Sequence, residues 1–127
     1  MSHFSKIKTS IHNIEILQKT INDLGFECTY GKLLIKDSYG NLQSINLLVQ
    51  DNCKDILGFS WDNNQYNIVA DIELWNQKMS FNVFVDKILQ QYALNSVLNE
   101  SLKAGFQQVK KQNQQDGSIK IIMQRWS

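Results

Sequence analysis

The sequence predicts an α+β fold in which two helices pack on one mostly antiparallel β-sheet. Two segments repeat apolar residues at helical spacing, and the segments around them alternate apolar and polar residues as strands do. The order is strand, helix, several strands, long helix and final hairpin. The chain has 127 residues, of which 43% are hydrophobic. This is enough for one domain with its own core, so residues 1–127 are predicted to form a single domain.

The first strand and the first helix follow the N-terminus. Residues 5–11 alternate between isoleucine or threonine and lysine or serine, which predicts a strand with one solvated face. Asn13 is a favourable N-cap for a helix. The apolar residues that follow, at spacings that place them on one helix face, are Ile14, Leu17, Ile21 and Leu24. Gly25 comes next, where a left-handed C-cap is expected.

The middle of the chain predicts a run of short antiparallel strands. Strands over residues 26–30 and 32–36 flank Gly31 and lead into a turn at residues 37–41, where aspartate, serine, glycine and asparagine cluster. A further strand is predicted over residues 45–49.

The next hairpin has a register that a structure can check. Strands over residues 56–61 and 66–74 flank a four-residue loop, which places Trp61 opposite Tyr66. A shift of one residue would destroy the alternation, so the pattern supports this register. The face predicted to be buried consists of Leu57, Phe59, Trp61, Tyr66, Ile68 and Ala70, continued by Ile72 and Leu74. The opposite face carries Gly58, Ser60, Asn67, Val69, Asp71 and Glu73.

The second helix is predicted to begin after an N-cap at Ser80 and to end near Leu102. Its apolar stripe is broad enough to pack on a sheet. The residues predicted to form this stripe are Phe81, Phe84, Val85, Ile88, Leu89, Tyr92 and Ala93. The polar residues predicted to lie mainly off the stripe are Lys87, Gln90, Gln91, Asn95 and Glu100.

The last hairpin admits two loop lengths. A three-residue loop at residues 115–117 pairs Val109 with Met123 and Lys111 with Ile121, whereas a two-residue Asp-Gly loop shifts each pairing by one residue. We favour the longer loop because Val109 then shares a face with the apolar residues of the last strand.

The composition excludes several classes of protein. Thirteen basic and twelve acidic side chains give a net charge of +1, which fits neither an acidic disordered tail nor a basic nucleic-acid arm. No signal-peptide core follows the N-terminus, and no apolar run approaches the roughly 18 residues of a membrane span. We therefore expect a protein that stays in the compartment where it is made.

No local motif for a metal, a cofactor or a catalytic nucleophile is present in the sequence. The strong metal ligands His3, His12, Cys28 and Cys53 do not form the paired spacing that zinc sites show. The two cysteines are far apart and favour free thiols over a disulfide framework. There is no G-x-S-x-G sequence and no phosphate-binding loop. We expect no metal and no cofactor.

Two carboxylates provide an enzymatic alternative. Asp71 and Glu73 share one face of a predicted strand and could act in acid–base catalysis. Solvated carboxylates on any sheet give the same pattern, so the sequence favours a protein that is not an enzyme. An enzyme would need a pocket around these two side chains.

A weak RNA-binding module is a second alternative. Lys111, Lys120 and Trp126 could share an outer face of the last hairpin, with Lys110 nearby, as in some single-strand binders. The balanced charge argues against nucleic acid, because binding to phosphates normally brings a surplus of basic residues.

The leading hypothesis is a non-enzymatic accessory or interaction module that uses the outer sheet face or the C-terminal strand. Trp75, at the end of its strand, and Trp126, near the C-terminus, are candidates for exposed aromatic residues. Arg125, the one arginine of the chain, and Ile122 accompany Trp126. Tryptophan and arginine favour interface hot spots, so these four residues are predicted to bind an unknown protein partner. The oligomeric state stays open.

Five short motifs resemble landmarks of a known family. They are Ser2-His3-Phe4-Ser5, Gly58-Phe59-Ser60-Trp61, Val69-Ala70-Asp71, Asp116-Gly117-Ser118-Ile119 and Gln124-Arg125-Trp126-Ser127. The family is hypothetical chloroplast open reading frame 35, whose small members occur in algal plastids and cyanobacteria. The resemblance covers essentially the whole chain and implies a plastid protein without an established activity or catalytic residues. Together with the missing signal and span, it implies the stroma.

Overall fold

A computed structural model describes residues 3–113 and 119–125 of the chain, with side chains described for residues 3–105. The predicted α+β class and the predicted order of elements are confirmed. The elements are β1 (Ser5–Ile7), α1 (Ile14–Asp23), β2 (Glu27–Lys36), β3 (Leu42–Asp51), β4 (Lys54–Trp61), β5 (Tyr66–Ala70), a 3₁₀ turn (Ile72–Leu74), α2 (Phe81–Lys103), β6 (Phe106–Asn113) and β7 (Ile119–Arg125).

Five strands form one antiparallel sheet in the order β1-β5-β4-β3-β2. Strands β2 to β5 follow one another as a meander, and β1 pairs with β5 so that Ser5 lies opposite Ala70. Strands β6 and β7 pair with each other in a second, two-stranded sheet. Both helices pack their buried side chains on one face of the larger sheet, where they meet core residues such as Leu47 and Phe59.

Helix α1 forms as its caps and spacing predict. The Asn13 side chain accepts a hydrogen bond from the backbone N–H of Ile16 at 3.1 Å, and Leu17 and Ile21 are completely buried. Gly25 has a φ of 89°, the left-handed conformation that glycine adopts without strain.

Helix α2 begins at its predicted cap, because the Ser80 hydroxyl accepts a hydrogen bond from the N–H of Val83 at 3.2 Å. Three predictions about its buried face are wrong. Leu89 and Ala93 are exposed, whereas Asn95 is only 4% exposed. The reason is that the buried face turns toward α1, whose side chains hydrogen-bond with Asn95.

The β4–β5 hairpin has the predicted register, with Trp61 opposite Tyr66 and Phe59 opposite Ile68. The predicted burial of Trp61 is wrong. This side chain is 41% exposed at the end of its strand, with its ring 4.8 Å from that of Tyr66.

The strand that follows is shorter than predicted and ends at Ala70. Asp71 caps the 3₁₀ turn there, since its carboxylate accepts a hydrogen bond from the N–H of Glu73 at 3.0 Å. The turn carries Ile72 and Leu74 out of the core, where they are 50% and 55% exposed. Their predicted place on the buried face is therefore wrong.

The helix-free side of the sheet carries a second apolar cluster, which includes Val69 on the face opposite the predicted core face. The buried members are Ile35, Ile45, Leu48 and Val69, and Phe4 and Leu33 pack against them. Gly58 makes room for this cluster, because a Cβ atom at this position would lie 2.7 Å from Cδ1 of Ile45.

Several strand boundaries in the first half of the sheet differ from prediction. The strands predicted on either side of Gly31 form one strand, β2, whose pairing with β3 is irregular between Tyr30 and Leu33. Strand β1 ends at Ile7 instead of residue 11. Beyond it Thr9 turns its hydroxyl to the carbonyl oxygen of Tyr66 and so leaves the ladder.

The last hairpin confirms one predicted pair and corrects the other. Lys111 lies opposite Ile121, but Gln108, and not Val109, lies opposite Met123. The cause is an irregularity in the pairing between Gln108 and Lys110. The predicted loop at residues 115–117 lies outside the described residues.

Candidate functional site

Two buried carboxylates lie where the turn after β2 meets the end of β5. Asp37 accepts hydrogen bonds from the backbone N–H groups of His3, Tyr39 and Asn41 at 2.9, 2.9 and 2.8 Å. Asp71 accepts from the N–H of Ser38 at 2.7 Å and from that of Glu73. These bonds close the β2–β3 turn, cap the 3₁₀ turn and fasten the N-terminal segment to both.

The hydrogen bonds keep both carboxylates ionised. Burial raises the pKa of Asp37, but the bonds from His3, Asn41 and Tyr39 outweigh burial and hold this pKa well below its usual range. Burial also raises the pKa of Asp71, and bonds from Ser38 and Glu73 again bring the net pKa below the usual value. A general acid or base working near neutral pH needs a raised carboxylate pKa, and these side chains have the opposite shift.

Asp71 and Glu73 do not share a strand face as the sequence predicts, because one caps the 3₁₀ turn and the other lies inside it. Glu73 accepts a hydrogen bond from the Ser38 hydroxyl at 3.2 Å and lies 3.9 Å from Nδ1 of His3. Neither carboxylate lines either of the two grooves described below. The arrangement serves to hold three chain segments together.

The candidate metal ligands lie on separate parts of the fold. No group of three or more histidine, cysteine or acidic side chains within residues 3–105 is placed to hold a metal ion. Cys28 is partly buried, which raises the pKa of its thiol. Cys53 is exposed in the two-residue turn between β3 and β4, where it and Asn52 have φ values of 66° and 51°. These angles are those of a type I′ hairpin turn.

Trp75 is partly buried at the edge of the core. Its indole N–H donates to the carbonyl oxygen of Met79 at 2.8 Å. Its ring lies 5.3 Å from that of Phe81 and 5.1 Å from that of Phe84. Trp75 also lines a groove of about 400 Å³ beside the β3–β4 turn. Acidic and basic residues, among them Lys54, line the same groove. The predicted contact of Trp75 with a partner stays a prediction.

A second groove, of about 390 Å³, lies between α1 and the C-terminal half of α2. Ile16, Leu98 and Leu102 give it apolar walls. Asn95 lies beside these residues and donates from Nδ2 to the Thr20 hydroxyl and to the Asp23 carboxylate, both at 3.1 Å. This amide is satisfied by the helix pair, so it holds α1 and α2 together.

The outward side of α2 carries an exposed apolar stripe that the sequence did not predict. Asp86, Leu89, Ala93, Val97 and Glu100 follow one another at spacings of three, four, four and three, which places them on one helix face. All five are exposed, and Leu89 and Val97 are 36% and 52% exposed. We call these five residues the α2 outer face. The available signal was that α2 has apolar residues on more than one side.

The two charged residues of the α2 outer face, Asp86 and Glu100, are both acidic. Among the described side chains, Lys19 forms an ion pair with Asp23, and the other contact between a basic and an acidic side chain joins His3 and Glu73. Neither Asp86 nor Glu100 is therefore paired within this part of the chain. The two lysines of α2 point elsewhere. At about 100° per residue, Lys87 lies about 120° and Lys103 about 80° around the helix from Ala93.

The other predicted site residues are in or after β7. Ile122 lies opposite Lys110, and Arg125 lies opposite Phe106. Their side chains, like Trp126 as a whole, fall outside the described positions, so their predicted role in partner binding stays a prediction. The same holds for the RNA-binding alternative, which depends on the side chains of Lys110, Lys111 and Lys120.

Several motif residues have structural roles. Gly58 leaves room for the Ile45 side chain, Asp71 caps the 3₁₀ turn, and the backbone N–H of His3 donates to Asp37. Within the described residues, no helix is long and apolar enough to cross a membrane.

Comparisons with known proteins give a consistent result. The family described as "Protein of unknown function (DUF1257)" matches residues 20–122. "Uncharacterized protein ycf35" of Pyropia yezoensis is 39% identical over 127 residues, covering 100% of this chain and 99% of the relative. The proteins of the same name from Guillardia theta and Cyanophora paradoxa are 34% and 32% identical over 126 residues, each covering 99% of this chain and 98% of the relative.

No solved structure gives a significant match to this chain. The relatives that do match come from algae and share a name for a plastid reading frame, which supports a plastid origin. The coverage is nearly complete in both directions, and the chain therefore belongs to the ycf35 family of uncharacterised plastid proteins, the DUF1257 family.

Proposed function

We propose that the protein is a non-enzymatic interaction module of the plastid stroma that binds a partner protein through the α2 outer face. The observation that carries the proposal is the exposure of Leu89, Ala93 and Val97 along a helix whose opposite side is already packed in the core. Single exposed apolar residues are common on protein surfaces. Three at helical spacing form a continuous strip, which is the form in which partner helices are recognised.

The chemistry of the buried carboxylates supports the same proposal over the enzymatic alternative. The carboxylate oxygens of Asp37 and Asp71 accept hydrogen bonds from backbone N–H groups of three segments. Replacing either would disturb the fold before it disturbed any reaction, because a buried N–H without an acceptor costs about 1–3 kcal/mol.

The stromal location is part of the proposal and is supported by the plastid origin of the relatives. Fractionation of intact plastids, with detection of the protein in stroma and thylakoids, tests it. Recovery mainly with washed thylakoids would contradict it.

The partner-binding surface is tested by a double substitution, Leu89→Gln with Val97→Gln. Chemical cross-linking in plastid extract should join the unsubstituted protein to a distinct partner band, and the double variant should lose that band while keeping its melting temperature. The control is Ile72→Gln with Leu74→Gln, which removes two exposed apolar residues from another surface and should keep the band. The same cross-linked bands with all three proteins would contradict the proposal.

A contact by the C-terminal strand remains part of the proposal. Trp126→Ala tests the predicted contribution of Trp126, Arg125 and Ile122 in the same assay, and Trp75→Phe tests that of Trp75 without opening a large cavity. If Trp126→Ala abolishes the band and the α2 variant does not, the binding surface lies at the C-terminal strand.

A further inference from the structure

We infer that the segment docking on the α2 outer face is an amphipathic helix with basic residues at both ends of a short apolar stretch. This inference rests on the proposed function and adds the chemistry of the partner.

The length of the outer face sets the length of the partner. Asp86 and Glu100 are separated by 14 positions, a rise of about 21 Å along the helix. The apolar residues occupy the middle of this span, with Leu89 and Val97 on either side of Ala93. A helix of about four turns matches the whole span, and its apolar side chains need to cover only the central two turns.

The shape of the face suits a helix better than a loop. Leu89 and Val97 protrude, whereas Ala93 between them is small, so a ridge of a second helix can enter at this point. When small residues lie at the crossing point of two helices, the distance between the helix axes is near the lower end of the usual 8–10 Å.

The charged residues of the face indicate the charge of the docking segment. Both charged residues of the face, Asp86 and Glu100, are acidic and lie at its two ends. Within the described side chains neither has an ion pair. Lysine or arginine at both ends of the incoming helix would meet them, and complementary charge at the rim speeds association and selects the partner.

A second copy of this chain fits the face poorly. Two α2 helices packed antiparallel around Ala93 place Asp86 of one copy beside Glu100 of the other, twice by symmetry. A parallel pair places each acid beside its own equivalent. Like charges in these positions oppose association, which is why the occupant is a different, basic segment. An anionic lipid surface and a nucleic acid are disfavoured by the same acidic residues.

The test uses two synthetic helical peptides of about 18 residues with the same alanine–leucine face, one ending in lysines on both sides and the other in glutamates. Each is titrated into the full-length protein at low salt, with backbone amide shifts followed by NMR. The lysine-ended peptide should bind at least about tenfold more tightly than the glutamate-ended one. The shifts should centre on residues 86–100, and the difference should shrink as salt is added.

Charge reversal makes the test specific to the two acids. Asp86→Lys with Glu100→Lys should reverse the preference between the two peptides. The control is Glu27→Lys with Asp55→Lys, which makes the same change in net charge at exposed positions on β2 and β4 and should leave the preference unchanged.

The outcomes separate this inference from the proposed function. If both peptides bind equally, or neither binds, while cross-linking in extract still depends on Leu89 and Val97, the inference fails and the interaction surface stands. If cross-linking does not depend on them either, both fail. If sedimentation shows a dimer that Leu89→Gln with Val97→Gln dissociates, the occupant is a second copy and the inference is overturned.

Discussion

The two helices of this protein use their apolar residues in different ways. Helix α1 has 10 residues, and its large apolar side chains are buried or partly buried, with Leu17 and Ile21 inaccessible. Helix α2 has 23 residues and buries Phe84 and Ile88, yet it leaves other large apolar side chains exposed. These exposed residues are Val83, Leu89, Val97 and Leu102.

This contrast between the helices identifies the apolar residues that the fold requires. In α1 the large apolar residues other than Ile16 lie on a single stripe, so periodicity identifies the core face. In α2 the apolar residues that are buried alternate along the sequence with apolar residues that are exposed. Contact with α1 and the sheet determines which of the two sets is buried. The remaining set is not needed for packing in the described structure, and it is therefore available for a partner.

The largest expected effect on the free energy of unfolding comes from a pair of neighbouring residues in α2, one buried and one exposed. Ile88 is completely buried and Leu89 is exposed. Ile88→Ala should lower the free energy of unfolding by about 2–5 kcal/mol, because it removes buried contacts and leaves a cavity. Leu89→Ala should change it by less than about 0.5 kcal/mol. Urea denaturation of both variants measures the contrast, and equal losses would mean that the two sides of α2 do not differ as described.

The next effect concerns the polar contact between the helices. Asn95→Ala removes the donor to the Thr20 hydroxyl and the Asp23 carboxylate and should cost about 1–3 kcal/mol of unfolding free energy. Asn99→Ala is the matched control on the same groove and should cost much less. The same denaturation experiment measures both, and a stable Asn95 variant would show that this amide does not hold the helices together.

A smaller effect is expected where α2 supports the start of α1. The Tyr92 hydroxyl oxygen accepts hydrogen bonds from the N–H groups of His12 and Asn13 at 3.3 and 3.2 Å. Tyr92→Phe keeps the buried ring and removes this acceptor, so the loss should be about 0.5–1.5 kcal/mol. Hydrogen exchange at these two amides should accelerate, while exchange in the middle of the sheet should not. Unchanged exchange at both amides would contradict the contact.

The smallest effect on stability is expected on the α2 outer face. Leu89→Gln with Val97→Gln should shift the unfolding free energy by less than about 0.5 kcal/mol per site, although the same pair should abolish partner cross-linking. A large loss of stability would show that these side chains serve the fold and would remove the distinction between the two sets.

Local signals made part of the fold predictable from sequence. The Asn13 and Ser80 caps depend on residues three positions away, and the register of the β4–β5 hairpin depends on a short loop and alternation. These features are decided by near neighbours, which a sequence displays directly.

Several of the wrong predictions depended on contacts between distant residues. Asp71 ends β5 partly because Ser38, 33 positions earlier, binds its carboxylate. Asn95 is buried because Thr20, 75 positions away, receives its hydrogen bond. The outer face of α2 was missed for the same reason, since only tertiary contact shows which stripe stays outside.

The interruption of β2 at Gly31 has a consequence for solubility. In the part of the chain that the structure describes, β2 is the outermost strand of the five-stranded sheet. An open, regular edge of ten residues would be a template for adding strands of other chains. The irregular pairing between Tyr30 and Leu33 breaks this edge into shorter stretches, and Lys32 and Lys36 add exposed charge to it. An edge of this kind is a poorer template for the addition of strands from other copies of the protein.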